Sequence, residues 1–152
     1  MEKITSFTVD HLKLHVGIYV SRVDGDITTY DLRTRKPNVD VLMDNSTMHS
    51  VEHMFATYAR NSTLKDSVMY FGPMGCQTGF YLLVRNANHE QVLTMIKTVL
   101  LQIVAHEGEV FGKSAIECGH YLTLSIDAAK KECQTYYDKI KDWTEQDLVY
   151  PS

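Results

Sequence analysis

The run Leu14-His15-Val16-Gly17-Ile18-Tyr19-Val20-Ser21-Arg22-Val23-Asp24-Gly25-Asp26-Ile27-Thr28-Thr29-Tyr30-Asp31-Leu32-Arg33 decides the fold class. Leu14, Val16, Ile18 and Val20 alternate with polar or small residues, which is the period-2 pattern of a half-buried strand. Asp24-Gly25 supplies turn chemistry, and a second extended run from Ile27 to Arg33 completes a hairpin. Pro37-Asn38 breaks the pattern. Downstream, Val68 to Phe71 and Phe80 to Val84 read as two further strands. They flank Gly72-Pro73-Met74-Gly75-Cys76-Gln77-Thr78-Gly79, whose glycines and proline demand a tight, irregular turn.

Three helices separate or follow these strands. Ser46 is placed to cap a helix from about Thr47 to Arg60, with Met48, Val51, Phe55 and Ala59 near one face. Asn88 and Gln91 have the spacing of a capping box, opening a helix to about Ala105 with Val92, Ile96, Val99, Leu100 and Ile103 as its apolar stripe. After a loop around Gly108 to Gly119, Tyr121 to Leu124 reads as a short strand. Ser125 or Asp127 then begins a third helix, with Ile126, Ala129, Cys133, Tyr136 or Tyr137, and Ile140 inward. The expected class is α+β, an antiparallel sheet with helices packed on one face, forming one domain over residues 1–152.

Composition limits the function. The 152 residues carry 15 Lys+Arg against 19 Asp+Glu, a net charge of −4 spread along the chain, where a nucleic-acid binder would show a basic patch. No apolar run approaches the roughly 18 residues that span a bilayer, and the first residues lack signal-peptide character. Three cysteines do not make a disulfide framework. A cytoplasmic protein with reduced thiols is expected, and there cysteines are more often ligands, catalytic groups or core residues than cross-links.

The sharpest chemical pattern is His49-Ser50-Val51-Glu52-His53. Residues four apart on a helix lie about 5–6 Å apart at Cβ, so His49 and His53 can share one cation. Glu52 reaches the same side, where a general base is useful. A third protein ligand is needed, and Cys76, Cys118, Cys133, His106, Glu117 and His120 are the candidates. Cys133 lies on the apolar stripe of the last helix and reads as core. His106 ends a helix, where an imidazole can meet terminal carbonyls. Cys118 sits in a loop that can bend toward the first helix, and a thiolate suits Zn²⁺ or Fe²⁺. Cys76, in its glycine turn, has the backbone freedom to approach a ligand; near a cation its thiolate would serve as base or nucleophile. Spacing does not decide between Cys76 and Cys118 as the ligand.

Three segments together resemble the LuxS family of S-ribosylhomocysteine lyases: Ser6-Phe7-Thr8-Val9-Asp10-His11, the His49–His53 motif, and Pro73-Met74-Gly75-Cys76-Gln77-Thr78-Gly79. The likeness extends through Tyr30-Asp31-Leu32-Arg33, Pro37-Asn38 and Cys118-Gly119. It implies a small α+β sandwich acting on S-ribosylhomocysteine, with homocysteine and 4,5-dihydroxy-2,3-pentanedione as products. It further implies His49, His53 and Cys118 as ligands of one divalent metal per subunit, Fe(II) natively and zinc or cobalt as substitutes. Glu52 and Cys76 would be the acid–base pair, and Ser6, His11 and Arg33 substrate contacts. A homodimer with active sites at its interface is also implied. Departures from the family pattern are Tyr70, where an acidic residue is expected, the basic stretch Thr34-Arg35-Lys36, and His120 after the Cys-Gly pair.

Two other readings compete. An inverted H-x-x-E-H metallopeptidase, with Glu117 as distal ligand, leaves Cys76 and Cys118 without roles. A metal-storing or signalling module explains the ligands but not the cysteine in its glycine turn.

Overall fold

A computed structural model describes residues Met1–Ser152. The opening hairpin forms as β1 (Gly17–Asp24) and β2 (Ile27–Arg33), with Gly25 at φ +63 in the turn, the left-handed geometry that glycine adopts without a Cβ penalty. β1 begins three residues later than the alternation suggests: Leu14 is buried but precedes the strand. Strands β3 (Val68–Pro73) and β4 (Gly79–Arg85) form the second hairpin. The sheet is antiparallel throughout, in the order β1-β2-β4-β3. Both edge strands slip register once, β1 between Val20 and Arg22 and β3 between Val68 and Tyr70.

The register sorts side chains between two faces. Ile18, Leu32 and Phe80 are cross-strand neighbours, as are Val20, Tyr30, Leu82 and Phe71. These residues pack with the helices in one apolar cluster. The helices are α1 (Asn45–Ala59), α2 (His89–Val104) and α3 (Ile126–Ile140). Phe55 of α1 stacks on Phe71 at 4.2 Å between ring centroids, and Phe71 stacks on Phe80 at 5.0 Å. The other face carries Tyr19, Asp31 and Tyr81 in one row. A C-terminal segment folds back over its β1 end, where Trp143 approaches Tyr19 edge-on and Tyr150 stacks on it.

The Asn88–Gln91 capping box is present, and the α2 stripe is buried at every expected position. Ser125 caps α3, whose Ala129, Cys133, Tyr136 and Ile140 are buried. Two expectations are corrected. The cap of α1 is Asp44, whose carboxylate accepts from the Thr47 amide; the Ser46 hydroxyl instead donates to the carbonyl of Thr123 at 2.6 Å. Tyr121 to Leu124 is not a strand but a 3₁₀ turn over Tyr121–Thr123. No strand pairs with it: the Leu124 amide donates to the carbonyl of Tyr121, and the Thr123 carbonyl accepts that Ser46 bond. No helix is long and apolar enough to cross a membrane.

Candidate metal centre and active site

The spacing in α1 places His49 and His53 one turn apart with ring centroids 4.7 Å from each other. The loop between α2 and α3 brings Cys118 against them. Its Sγ lies 3.3 Å from His49 Nε2, and the three donor atoms lie within 4.8 Å of one another. No other trio of His, Cys, Asp or Glu in the chain is so arranged. Between the two cysteines that spacing left open, the geometry selects Cys118.

Each imidazole is oriented by its far nitrogen. His53 Nδ1 lies 2.8 Å from the carbonyl of Phe111, which can only accept, so Nδ1 carries the proton and Nε2 keeps its lone pair. His49 Nδ1 lies 2.9 Å from the Thr123 hydroxyl, which in turn donates to the carbonyl of His120. Such outer partners set tautomer and ring direction in metal sites. The backbone amide of His120 donates to Cys118 Sγ at 3.4 Å and fixes the direction of that side chain. Burial, reinforced by the neighbouring His53, holds the His49 pKa below the ordinary imidazole value, with Glu52 pulling the other way. Two imidazole nitrogens and one cysteine sulfur within 4.8 Å of one another, with room beside them, are a donor set that suits a divalent ion such as zinc or iron.

That room is a cleft of about 370 Å³ lined by Asn45, Met48, His49, Glu52, Pro73, His120 and Thr123. Glu52 therefore faces the cleft beside a ligand, as the helix register predicts. Pro73, at the end of β3, brings in the strand that leads to the Cys76 turn. In that turn Gln77 takes φ +64, and its side-chain amide donates to the carbonyl of Met43. Cys76 is exposed, with Sγ 3.0 Å from the Thr78 hydroxyl.

Arg33 is 3% exposed and reaches the same turn. Its Nη1 donates to the Thr78 hydroxyl at 2.8 Å and lies 3.9 Å from Cys76 Sγ. Its Nε and Nη2 form a fork on Asp31 at 3.1 and 2.6 Å. Burial opposes the charge of Arg33, but Asp31 more than compensates and keeps its pKa above the ordinary value.

Ser6 and His11 do not join this chain's cleft. Ser6 lines a shallow depression on the outer sheet face with Arg22, Tyr70 and Tyr81, and His11 Nδ1 bonds the carbonyl of Val9. The remaining candidates are accounted for. Cys133 is buried, and burial pushes its thiol pKa far up. His106 bonds the Tyr58 hydroxyl and the carbonyl of Glu109, a loop carbonyl rather than one of the α2 terminus. Glu117 accepts from Ser114, while His120 lines the cleft. Of the departures, Tyr70 folds its ring over Gly72, and Arg35 forms a fork on Glu132 of α3 at 2.6 Å for both bonds.

Sequence reasoning missed Thr123, Phe111 and Gly112. Gly112 takes φ +72, and a Cβ there would come 3.2 Å from His53 Nδ1. Its signal was a glycine beside an aromatic residue in the metal loop; Thr123 and the Phe111 carbonyl had none.

A family model described as S-Ribosylhomocysteinase (LuxS) matches residues 4–147. A protein of Finegoldia magna named S-ribosylhomocysteine lyase is 44% identical, covering 99% of both chains. Proteins of the same name from Desulfotalea psychrophila and Clostridium beijerinckii are 41% and 42% identical, with full coverage of both chains.

Proposed function

This chain belongs to the S-ribosylhomocysteinase (LuxS) family, and from that premise we propose how its residues cleave the thioether of S-ribosylhomocysteine. The enzyme is a carbon–sulfur lyase that yields homocysteine and 4,5-dihydroxy-2,3-pentanedione, the autoinducer-2 precursor. The observation that carries the reading is the His49–His53–Cys118 trio with Glu52 facing the same cleft. A peptidase or storage reading would leave Cys76, in its glycine turn beside Arg33, without a task.

The thioether at C5 of the ribose is a poor leaving group until a carbonyl stands β to it. That requires the sugar carbonyl to move from C1 to C2 and then to C3, each step removing a proton from one carbon and returning one to its neighbour. When bound, a divalent ion supplies Lewis acidity toward the sugar oxygens. His49, His53 and Cys118 hold one such ion per subunit. We take Fe(II) as the native one and zinc or cobalt as substitutes, since nitrogen–thiolate donors suit all three.

Cys76 Sγ and the Glu52 carboxylate exchange the protons at carbon and oxygen. In the last step, loss of the C4 proton expels homocysteine sulfur, which leaves with the electron pair of the C5–S bond; the enol that remains tautomerises to the dione. Arg33 places a cation at the Cys76 turn, where it can stabilise negative charge that develops on a substrate oxygen. Ser6 and His11 contact substrate in the cleft of a second copy, which accounts for their distance from this one. The active form is thus a homodimer with sites at the interface. The reduced thiols that this chemistry needs place it in the cytoplasm.

Cys118→Ala should lose most of the bound metal. Cys76→Ala and Glu52→Gln should keep it, while thiol release from S-ribosylhomocysteine falls by about 10²–10⁴-fold, the usual worth of a positioned acid–base group. Metal analysis of anaerobically purified variants, paired with thiol release, checks this. Equal metal content in Cys118→Ala and Cys76→Ala would refute the ligand assignment.

A further inference from the structure

Arg33 is anchored from behind by a residue outside the segment matched by the family model, which ends at residue 147. Asp31 is 1% exposed and accepts three hydrogen bonds. Two come from the Arg33 fork, and the third comes from the Tyr150 hydroxyl to Asp31 Oδ2 at 2.7 Å. Tyr150 is held where it can do this. Its ring stacks on Tyr19 at 5.0 Å with planes 19° apart, and the Val20 amide donates to the carbonyl of Leu148 at 2.8 Å, fastening the segment beside β1. Trp143 lies so close over Gly17 that no Cβ fits there.

We propose that Tyr150 is a positioning residue for the Cys76 turn, acting through Asp31 and Arg33. This inference rests on the reading of Cys76 as an acid–base group. Asp31 Oδ2 is shared between Arg33 Nη2 and the Tyr150 hydroxyl. A buried carboxylate keeps its charge only while its lone pairs are satisfied. With Tyr150 in place, part of the Asp31 charge is taken by a neutral donor. The guanidinium then spans both neighbours, with its fork on Asp31 and Nη1 on the Thr78 hydroxyl that meets Cys76 Sγ. Without that hydroxyl, Asp31 has only Arg33 to satisfy it and draws the guanidinium toward itself, away from Thr78 and Cys76. The group through which the C-terminal segment reaches the catalytic turn is therefore one phenolic hydroxyl.

Tyr150→Phe tests this in the metal-loaded protein, because it keeps the ring on Tyr19 and removes only the hydroxyl. The expected result is a kcat lower by about tenfold with KM and metal content unchanged, as for an interaction that matters after substrate binds. Iodoacetamide alkylation of Cys76, followed on its own peptide by mass spectrometry, should slow in parallel. Wild-type kcat and wild-type alkylation in Tyr150→Phe would overturn the inference and leave Tyr150 as packing for Tyr19. Seen beside an inactive Cys76→Ala, that result removes this inference alone. Wild-type kcat in Cys76→Ala would remove the acid–base reading and this inference with it.

Discussion

His53 has one nitrogen to offer the candidate metal site because the other is held by the Phe111 carbonyl, and that arrangement depends on a residue with no side chain. Gly112 turns the loop at φ +72 so that the Phe111 carbonyl faces His53 Nδ1. An alanine there meets two costs at once: the left-handed backbone, about 1 kcal/mol or more for a residue with a Cβ, and crowding of the imidazole at 3.2 Å. Gly112→Ala should therefore weaken metal binding by about 10–100-fold, the usual scale for disturbing an outer partner of a ligand. Chelator competition with cobalt-loaded protein would show it, and unchanged affinity would mean the loop relaxes without moving His53. Legibility differs residue by residue for the same reason. His49, Glu52 and His53 announce themselves through spacing on one helix, whereas residue type and spacing left Cys118 and Cys76 both open as the third ligand and only the family resemblance pointed to Cys118. Thr123 and the Phe111 carbonyl act through a hydroxyl and a backbone oxygen, groups that are everywhere in a sequence and gain meaning only from where the loop passes.

At the scale of elements, α1 carries two of the three ligands, so what stabilises its first turn also steadies the centre. Asp44 accepts from the Thr47 amide, and those hydrogen bonds hold its carboxyl below the ordinary carboxylate pKa. A depressed carboxylate contributes stability that is fully present above its unfolded pKa of about 3.9 and is lost as pH falls through the folded value. Asp44→Ala should cost about 0.5–1 kcal/mol at neutral pH, toward the low end because the site is exposed. Asp44→Asn should keep the cap and lose the dependence on acid, as denaturant melts at pH 3 and pH 7 would reveal. The helices were legible where periodicity ran long: the Asn88–Gln91 box and the Val92–Ile103 stripe stand as expected. The α1 start was misjudged because both Asp44 and Ser46 are good caps, and only the position of Thr123 shows that the Ser46 hydroxyl is engaged elsewhere. Tyr121 to Leu124 looked like a strand from its apolar and aromatic content, yet strands exist only with partners, and no edge of the sheet reaches it.

For the whole molecule, the separation of Ser6 and His11 from the cleft makes a claim about subunits. If these residues serve a partner's site, two inactive variants can repair each other. In a heterodimer of His11→Ala with Cys76→Ala, one site receives both defects and the other receives none. Random exchange of a 1:1 mixture makes half the dimers mixed, each with one sound site of two, so about a quarter of wild-type activity should return. Thiol release measured after subunit exchange tests this, and a mixture that stays inactive would return Ser6 and His11 to their own chain.

The register slips at both ends of the sheet bear on how such copies can meet. A bulge twists an outer strand and interrupts the row of free amides and carbonyls that another chain would need in order to add on. β1 is bulged beyond Val20 and β3 beyond Val68, and at Val20 the amide is already taken by Leu148. Sideways growth, which has no natural end and leads to filaments, is thereby blocked at each border. Association through the outer face is left open instead, and a face that is covered by its twin is used up once two copies have met.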